Sequence, residues 1–68
     1  MEDTPEVRPE LFEPLRGRRA RRHRDSGEIW QKDRLHGNHW EVYKTLQDFE
    51  RGSRDRSVWS DGRLKDRF

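Results

Sequence analysis

Between Asp33 and Tyr43 the chain reads Asp33-Arg34-Leu35-His36-Gly37-Asn38-His39-Trp40-Glu41-Val42-Tyr43, which gathers two carboxylates, two imidazoles and a phenol into eleven residues. Imidazole exchanges its proton near neutral pH, so a histidine beside a carboxylate is suited to paired acid and base work. Among reactions open to such a set in an arginine-rich chain, cleavage of RNA without a metal fits best. It needs a base for the 2′-hydroxyl, an acid for the leaving oxygen and cations around the crowded phosphate. Asp33 and Glu41 are the candidate bases, His36 and His39 the candidate acids, and Tyr43 stands beside them. Arg56, Arg63 and Arg67 are candidates to clamp the phosphate. This chemistry calls for no metal and no cofactor. A zinc site built from Asp33, His36 and His39 is the weaker alternative, with few ligands and no cysteine to complete them.

The pattern around these residues predicts the element that carries them. From His39 the chain alternates, with His39, Glu41, Tyr43 and Thr45 on one side of an extended strand and Trp40, Val42 and Leu46 on the other. Gly37-Asn38 is a turn signal that folds Asp33 and His36 back over the polar side. Glu28 to Lys32 reads as a preceding strand, and Gln47-Asp48 as a turn after which Phe49 packs back. Arg51 to Arg56 reads as a polar loop. Ser57 to Lys65 reads as a hairpin about Asp61-Gly62. The expected fold is therefore mainly β, a small twisted antiparallel sheet of three or four strands over residues 25–68. Residues 1–24 are expected to form a separate acidic leader and arginine-rich arm, partly helical at Glu10 to Glu13 behind Pro9.

Charge is sharply segregated. Residues 1–15 hold five acids against one arginine, residues 16–24 hold six arginines and no acid, and residues 25–68 balance nine acids with nine bases. The run Arg16 to Arg24 predicts polyanion contact, because guanidinium pairs with phosphate in a bidentate way and displaces its counterions. Arg18, Arg19, Arg21, Arg22, Arg24, Lys32, Arg56 and Arg63 are the expected RNA-binding residues. The acidic leader either stays unstructured or folds over the basic run and masks it. With 26% hydrophobic and 44% charged residues, the core must be thin. The absence of cysteine rules out a disulfide framework and is compatible with the cytoplasm. No apolar run reaches membrane or signal length, so no membrane partner is expected.

The segment Ile29-Trp30-Gln31-Lys32-Asp33-Arg34-Leu35-His36-Gly37, followed by Glu41-Val42-Tyr43, resembles the cytotoxic ribonuclease domain of the ribosome-cleaving colicins and related C-terminal modules of polymorphic bacterial toxins. The resemblance covers roughly residues 18–68 and rests on Asp33-x-x-His36-Gly37 with Glu41-x-Tyr43. It implies a small, strongly twisted antiparallel sheet, cleavage of small-subunit ribosomal RNA at the decoding site, and neutralisation by an acidic immunity protein. It also implies catalytic roles for Asp33, His36 and Glu41, with Arg63 or Arg67 in the place of a C-terminal arginine. Two departures stand out. Glu41 follows His36 by five residues where the family has four, a shift that the Gly37-Asn38 turn or a bulge must absorb. The family's Gly-rich hairpin is replaced by Lys44 to Phe49. The run His39-Trp40-Glu41-Val42 is closer to the barnase-like and RelE-like toxin nucleases, which would make His39 the acting histidine. Both resemblances imply a ribonuclease toxin. A free-standing intracellular toxin with an acidic antitoxin suits a chain without a delivery domain better than a secreted bacteriocin does.

Two other classes remain open on the residues alone. One is a non-enzymatic RNA- or ribosome-binding protein in which Trp30, Trp40, Trp59 and Tyr43 are core or stacking surfaces. The other is a small interaction protein that folds on a partner.

Overall fold

Short extended runs separated by glycine-bearing turns leave each strand only its sequence neighbours to pair with, and that is how the chain folds. A computed structural model of the protein describes residues 1–68. After a 3-10 turn at Pro9–Leu11 come strands β1 (Phe12–Pro14), β2 (Arg21–His23), β3 (Ile29–Lys32) and β4 (His39–Tyr43). Helix α1 (Leu46–Arg51) and strands β5 (Arg56–Trp59) and β6 (Leu64–Arg67) follow. All six strands form one antiparallel sheet in sequence order, β1-β2-β3-β4-β5-β6. No helix is long and apolar enough to cross a membrane.

The mainly-β architecture agrees with the sequence reading, but six strands form where three or four were expected. The two additional strands lie in the segment read as an arm. Its prolines and arginines hide them, because neither β1 nor β2 carries an alternating apolar pattern. Phe12 pairs with His23 and Glu13 with Arg22, and the Glu13 carboxylate meets the Arg22 guanidinium across the ladder at 2.9 Å. An opposite-charge cross-strand pair of this kind helps to fix the register. The second departure is α1, which replaces the predicted turn at Gln47-Asp48. Its start is set by Thr45, whose side chain accepts from the Asp48 amide, and its end by Gly52 in the left-handed conformation.

Strand pairing assigns the faces. Trp30 opposes Val42 and Trp40 opposes Val58, so one face buries Phe12, Trp30, Trp40, Val42 and Val58, with Leu11 packed against them. Burying each of these side chains contributes about 1.5–3 kcal/mol, which makes this five-residue cluster the main apolar support of the fold. The acidic leader covers it. Thr4 is fully buried with its hydroxyl donating to the Ser60 carbonyl at 3.0 Å. The Glu2 amide donates to Gly62 at 2.8 Å, and the Trp40 indole donates to Glu6 at 2.9 Å. On the other face Ala20, Ile29 and Tyr43 form a smaller cluster with Leu15 and Phe49. Beyond it, that face carries His39 and Glu41.

The leader is thus neither free nor chiefly a mask for the arginine run. Glu2 pairs with Arg56 and Glu6 with Lys32. Glu13 alone among its acids reaches into the run, touching Arg22 and Arg24.

Candidate active site

Period-two geometry places His39 and Glu41 side by side on β4, and β5 brings Ser57 opposite Glu41 and Trp59 opposite His39. The preceding turn closes when the Asp33 amide donates to the His39 carbonyl at 3.0 Å and the Gly37 amide donates to Asp33 at 2.9 Å. Gly37 takes φ +70, a left-handed value that most side chains avoid. The turn returns Asp33 and His36 to the His39 side of the sheet.

The four groups meet at His39, whose side chain is 6% exposed. Its Nε2 lies 2.9 Å from Asp33 Oδ2 and 2.9 Å from Glu41 Oε1. Its Nδ1 donates to Asn38 Oδ1 at 3.0 Å. Asp33 Oδ1 accepts from the Leu35 amide at 2.8 Å. That bond, with further help from His36 and from the nearby charge of His39, outweighs desolvation and holds the Asp33 carboxyl below its usual range. Asp33 Oδ2 also accepts from His36 Nδ1 at 3.3 Å. The His36 side chain is 62% exposed, so its second nitrogen is free toward solvent. Glu41 Oε2 accepts from Ser57 Oγ at 2.8 Å and from Arg54 Nη1 at 3.1 Å. The cluster is therefore a connected line from exposed imidazole to carboxylate, buried imidazole, second carboxylate and guanidinium.

These residues line an open cleft of about 560 Å³ together with Asn38, Trp59, Lys65, Asp66 and Phe68. Arg54 lies over the Phe68 ring at 4.2 Å, and the Lys65 ammonium lies 5.4 Å from the Trp59 ring. Arg54 and Lys65 are thus the cations at the cleft, a role the sequence reading gave to Arg56, Arg63 or Arg67. No local signal marks either one, because their positions follow from the β4-β5-β6 register. Arg67 pairs with Arg56, whereas the cleft residue Asp66 pairs with Ser57, so Arg67 projects from the opposite face. Arg63 is tied to Asp61 at the hairpin turn.

Arg56 and Tyr43 belong to the structure's supports. The Arg56 side chain is 10% exposed and is held by Glu2, Glu28 and Asp55. The hydrogen bonds it donates to these carboxylates, Glu2 first, raise its pKa against the opposing effect of burial. With its donors committed, it has none left for a phosphate. Tyr43 lies on the His39–Glu41 side but packs edge-on against Phe49 at 5.1 Å. Burial and the Glu41 charge push its phenol up, with Arg54 opposing. It is absent from the lining of the His39 cleft and instead borders, with Asp33, Glu41 and Arg54, an adjoining depression.

The arginine run divides. Arg18 pairs with Glu50, Arg22 and Arg24 with Glu13, and Lys32 with Glu6. Arg19 and Arg21 have no carboxylate partner. With Arg18, Lys32, Pro14, Ala20 and Trp40 they line a depression of about 330 Å³ that contains no acid. Arg21 pairs with Trp30, which puts this cationic depression on the opposite face from the His39 cleft. Asp33, His36, His39 and Glu41 are thus brought together, whereas the expected phosphate contacts are spread over both faces.

Comparison with protein-family models, with characterised proteins and with solved structures gave no significant match.

Proposed function

We propose that this chain is a bacterial ribonuclease toxin that cleaves RNA by metal-independent transphosphorylation. The observation that carries this reading is the contact of His39 Nε2 with Asp33 and Glu41 at 2.9 Å each, which joins two histidines and two carboxylates in one open cleft. Glu41 is the base. It removes the proton of a 2′-hydroxyl, whose oxygen then attacks the adjacent phosphorus. The bond from phosphorus to the 5′-oxygen breaks, and His36 gives that oxygen a proton, leaving a 2′,3′-cyclic phosphate and a 5′-hydroxyl. His36 is favoured over His39 as the acid because its ring is exposed and its Nδ1 is fixed by Asp33, as in other carboxylate-oriented histidines. His39 then acts as a positioning residue that holds both carboxylates. Arg54 and Lys65 stabilise the crowded phosphate, and Trp59 and Phe68 offer faces on which neighbouring bases stack.

Ribosomal RNA within the ribosome is the substrate that the colicin-like resemblance suggests, with action in the cytoplasm and an acidic antitoxin or immunity protein as the partner. Arg54 and Lys65 at the cleft give such a partner its electrostatic anchor. The direct test is incubation of the purified chain with ribosomes and with naked RNA. A discrete fragment ending in a 2′,3′-cyclic phosphate, formed in the presence of chelators and lost in Glu41→Gln, is expected. High-level expression of the lone chain in growing bacteria with no effect on growth would count heavily against a toxin.

A second reading, a non-enzymatic RNA- or ribosome-binding protein, draws on the acid-free depression around Arg19 and Arg21. It predicts tight, salt-sensitive binding with the RNA left intact.

A further inference from the structure

We propose that the Asp33–His36–His39–Glu41 cluster binds a borderline transition-metal ion of the Zn²⁺ class, and that the bound ion blocks the cluster's chemistry. The binding half stands on geometry alone; the blocking half rests on the ribonuclease reading.

One ligand atom each from Asp33, His36 and His39 lies within 4.8 Å of the others. Individually, Asp33 Oδ2 is 2.9 Å from His39 Nε2 and 3.3 Å from His36 Nδ1, and Glu41 Oε1 is 2.9 Å from His39 Nε2. Metal–ligand bonds of about 2.0–2.2 Å in a tetrahedron set neighbouring ligand atoms roughly 3.3–3.6 Å apart. The Asp33–His36 pair already sits at that spacing and the two 2.9 Å pairs need to open by about half an ångström, with Asp33, His36 and His39 as the compact group and Glu41 closing on it from the His39 side. On binding, the ion takes the place between His39 Nε2 and the two carboxylates, and any proton held there passes to buffer.

What separates this cluster from a chance gathering is how three of its four ligands are held from behind. His39 Nδ1 donates to Asn38 Oδ1 at 3.0 Å, which leaves Nε2 aimed at the centre. Asp33 Oδ1 is held by the Leu35 amide at 2.8 Å, which leaves Oδ2. Glu41 Oε2 is held by Ser57 at 2.8 Å and Arg54 at 3.1 Å, which leaves Oε1. Metal-binding side chains are oriented by outer partners of this kind. Two carboxylates match the ion's charge, and two imidazoles favour zinc, cobalt, nickel or copper over magnesium and calcium. His36 at the cleft mouth gives an entry path. An ion so placed occupies the proposed base Glu41 and fixes His36, and the phosphate loses its seat.

The test uses the full chain, first freed of metal with a chelator and then titrated with ZnCl₂ by calorimetry, with Co²⁺ absorption as a geometric probe. One-to-one binding with a tetrahedral cobalt spectrum is expected. His36→Ala, at an exposed position where folding is not at stake, should weaken binding at least as much as loss of an outer partner, which costs roughly 10- to 100-fold. Asn38→Ala should fall in that same range. His23→Gln should change nothing, since His23 Nδ1 already accepts from the Asp25 and Ser26 amides. Absence of binding at millimolar zinc, or binding that survives His36→Ala unchanged, overturns the site. If the metal-free chain cleaves RNA and continues at full rate with the site saturated, the blocking role is overturned. If the metal-free chain never cleaves RNA, the ribonuclease reading falls, while the calorimetry still decides the metal site.

Discussion

Arg56 gives the sharpest test of how the fold is held. Its guanidinium sits between Glu2, Glu28 and Asp55 and lies 5.6 Å from the Trp30 ring. Arg56→Gln removes the cation and leaves three carboxylates facing one another. Breaking a buried ion pair from one side costs about 3–5 kcal/mol. Glu2 is 33% exposed and Glu28 21%, so water recovers part of this and the lower end, about 3 kcal/mol, is expected. A chain of 68 residues has a total stability of only about 3–10 kcal/mol. At roughly 4–8 °C per kcal/mol, the melting temperature should fall by more than ~10 °C. Tryptophan fluorescence during thermal and urea unfolding reads this directly, because Trp30 borders the cluster. Adding Glu28→Gln should restore part of the loss by removing one orphaned charge. An Arg56→Gln variant that melts like the parent but binds RNA less well would refute the reasoning and return Arg56 to the phosphate.

Three further outcomes follow from the same geometry. Arg19→Gln and Arg21→Gln together should flatten the dependence of log affinity on log salt by about 1.4, close to 0.7 per lost single-strand phosphate contact, whereas the Glu13-paired Arg22→Gln should change it less; equal slopes in all variants would remove the depression from the interface. Burial would raise the Asp55 carboxyl, but the Arg56 hydrogen bond and the charges of Arg56, Lys44 and Arg67 outweigh it and hold its pKa below the ordinary value. The stability this contributes is fully present above the unfolded pKa of about 3.9 and is lost as pH falls through the lower folded value, so Asp55→Asn should shallow the acid limb of a pH–stability curve. Gly62 has φ +102, and a Cβ there would clash with the Glu2 carbonyl oxygen, so Gly62→Ala should cost at least ~1–3 kcal/mol and expose residues 1–8 to protease; unchanged proteolysis would show that the leader is not held there.

Much of the site is legible in the sequence because it is local. The alternation from His39 and the turn signal at Gly37-Asn38 specify that His39 and Glu41 share a side and that Asp33 and His36 return to it. The partners from across the sheet are a different matter. Ser57, Arg54 and Lys65 reach the cleft through a register that no short pattern encodes. Arg56 misleads for a similar reason, since an arginine in an arginine-bearing polar segment gives no hint that Glu2, more than fifty residues away, will pair with it. The strands β1 and β2 were hidden because charge pairing and packing on the Trp30 face hold them, not an apolar alternation of their own. Helix α1 was legible in principle from the Thr45 cap, Asp48 three residues on and Gly52 after the last turn.

In the proposed mechanism His36 is the acid and His39 the residue that holds the carboxylates. Single-turnover cleavage of RNA by the parent, His36→Ala and His39→Gln, in the presence of chelator and with folding checked by circular dichroism, tests it most directly. The account predicts a loss of about two to four powers of ten in His36→Ala, with RNA binding retained. Cleavage at the parental rate in a folded His36→Ala variant would contradict it.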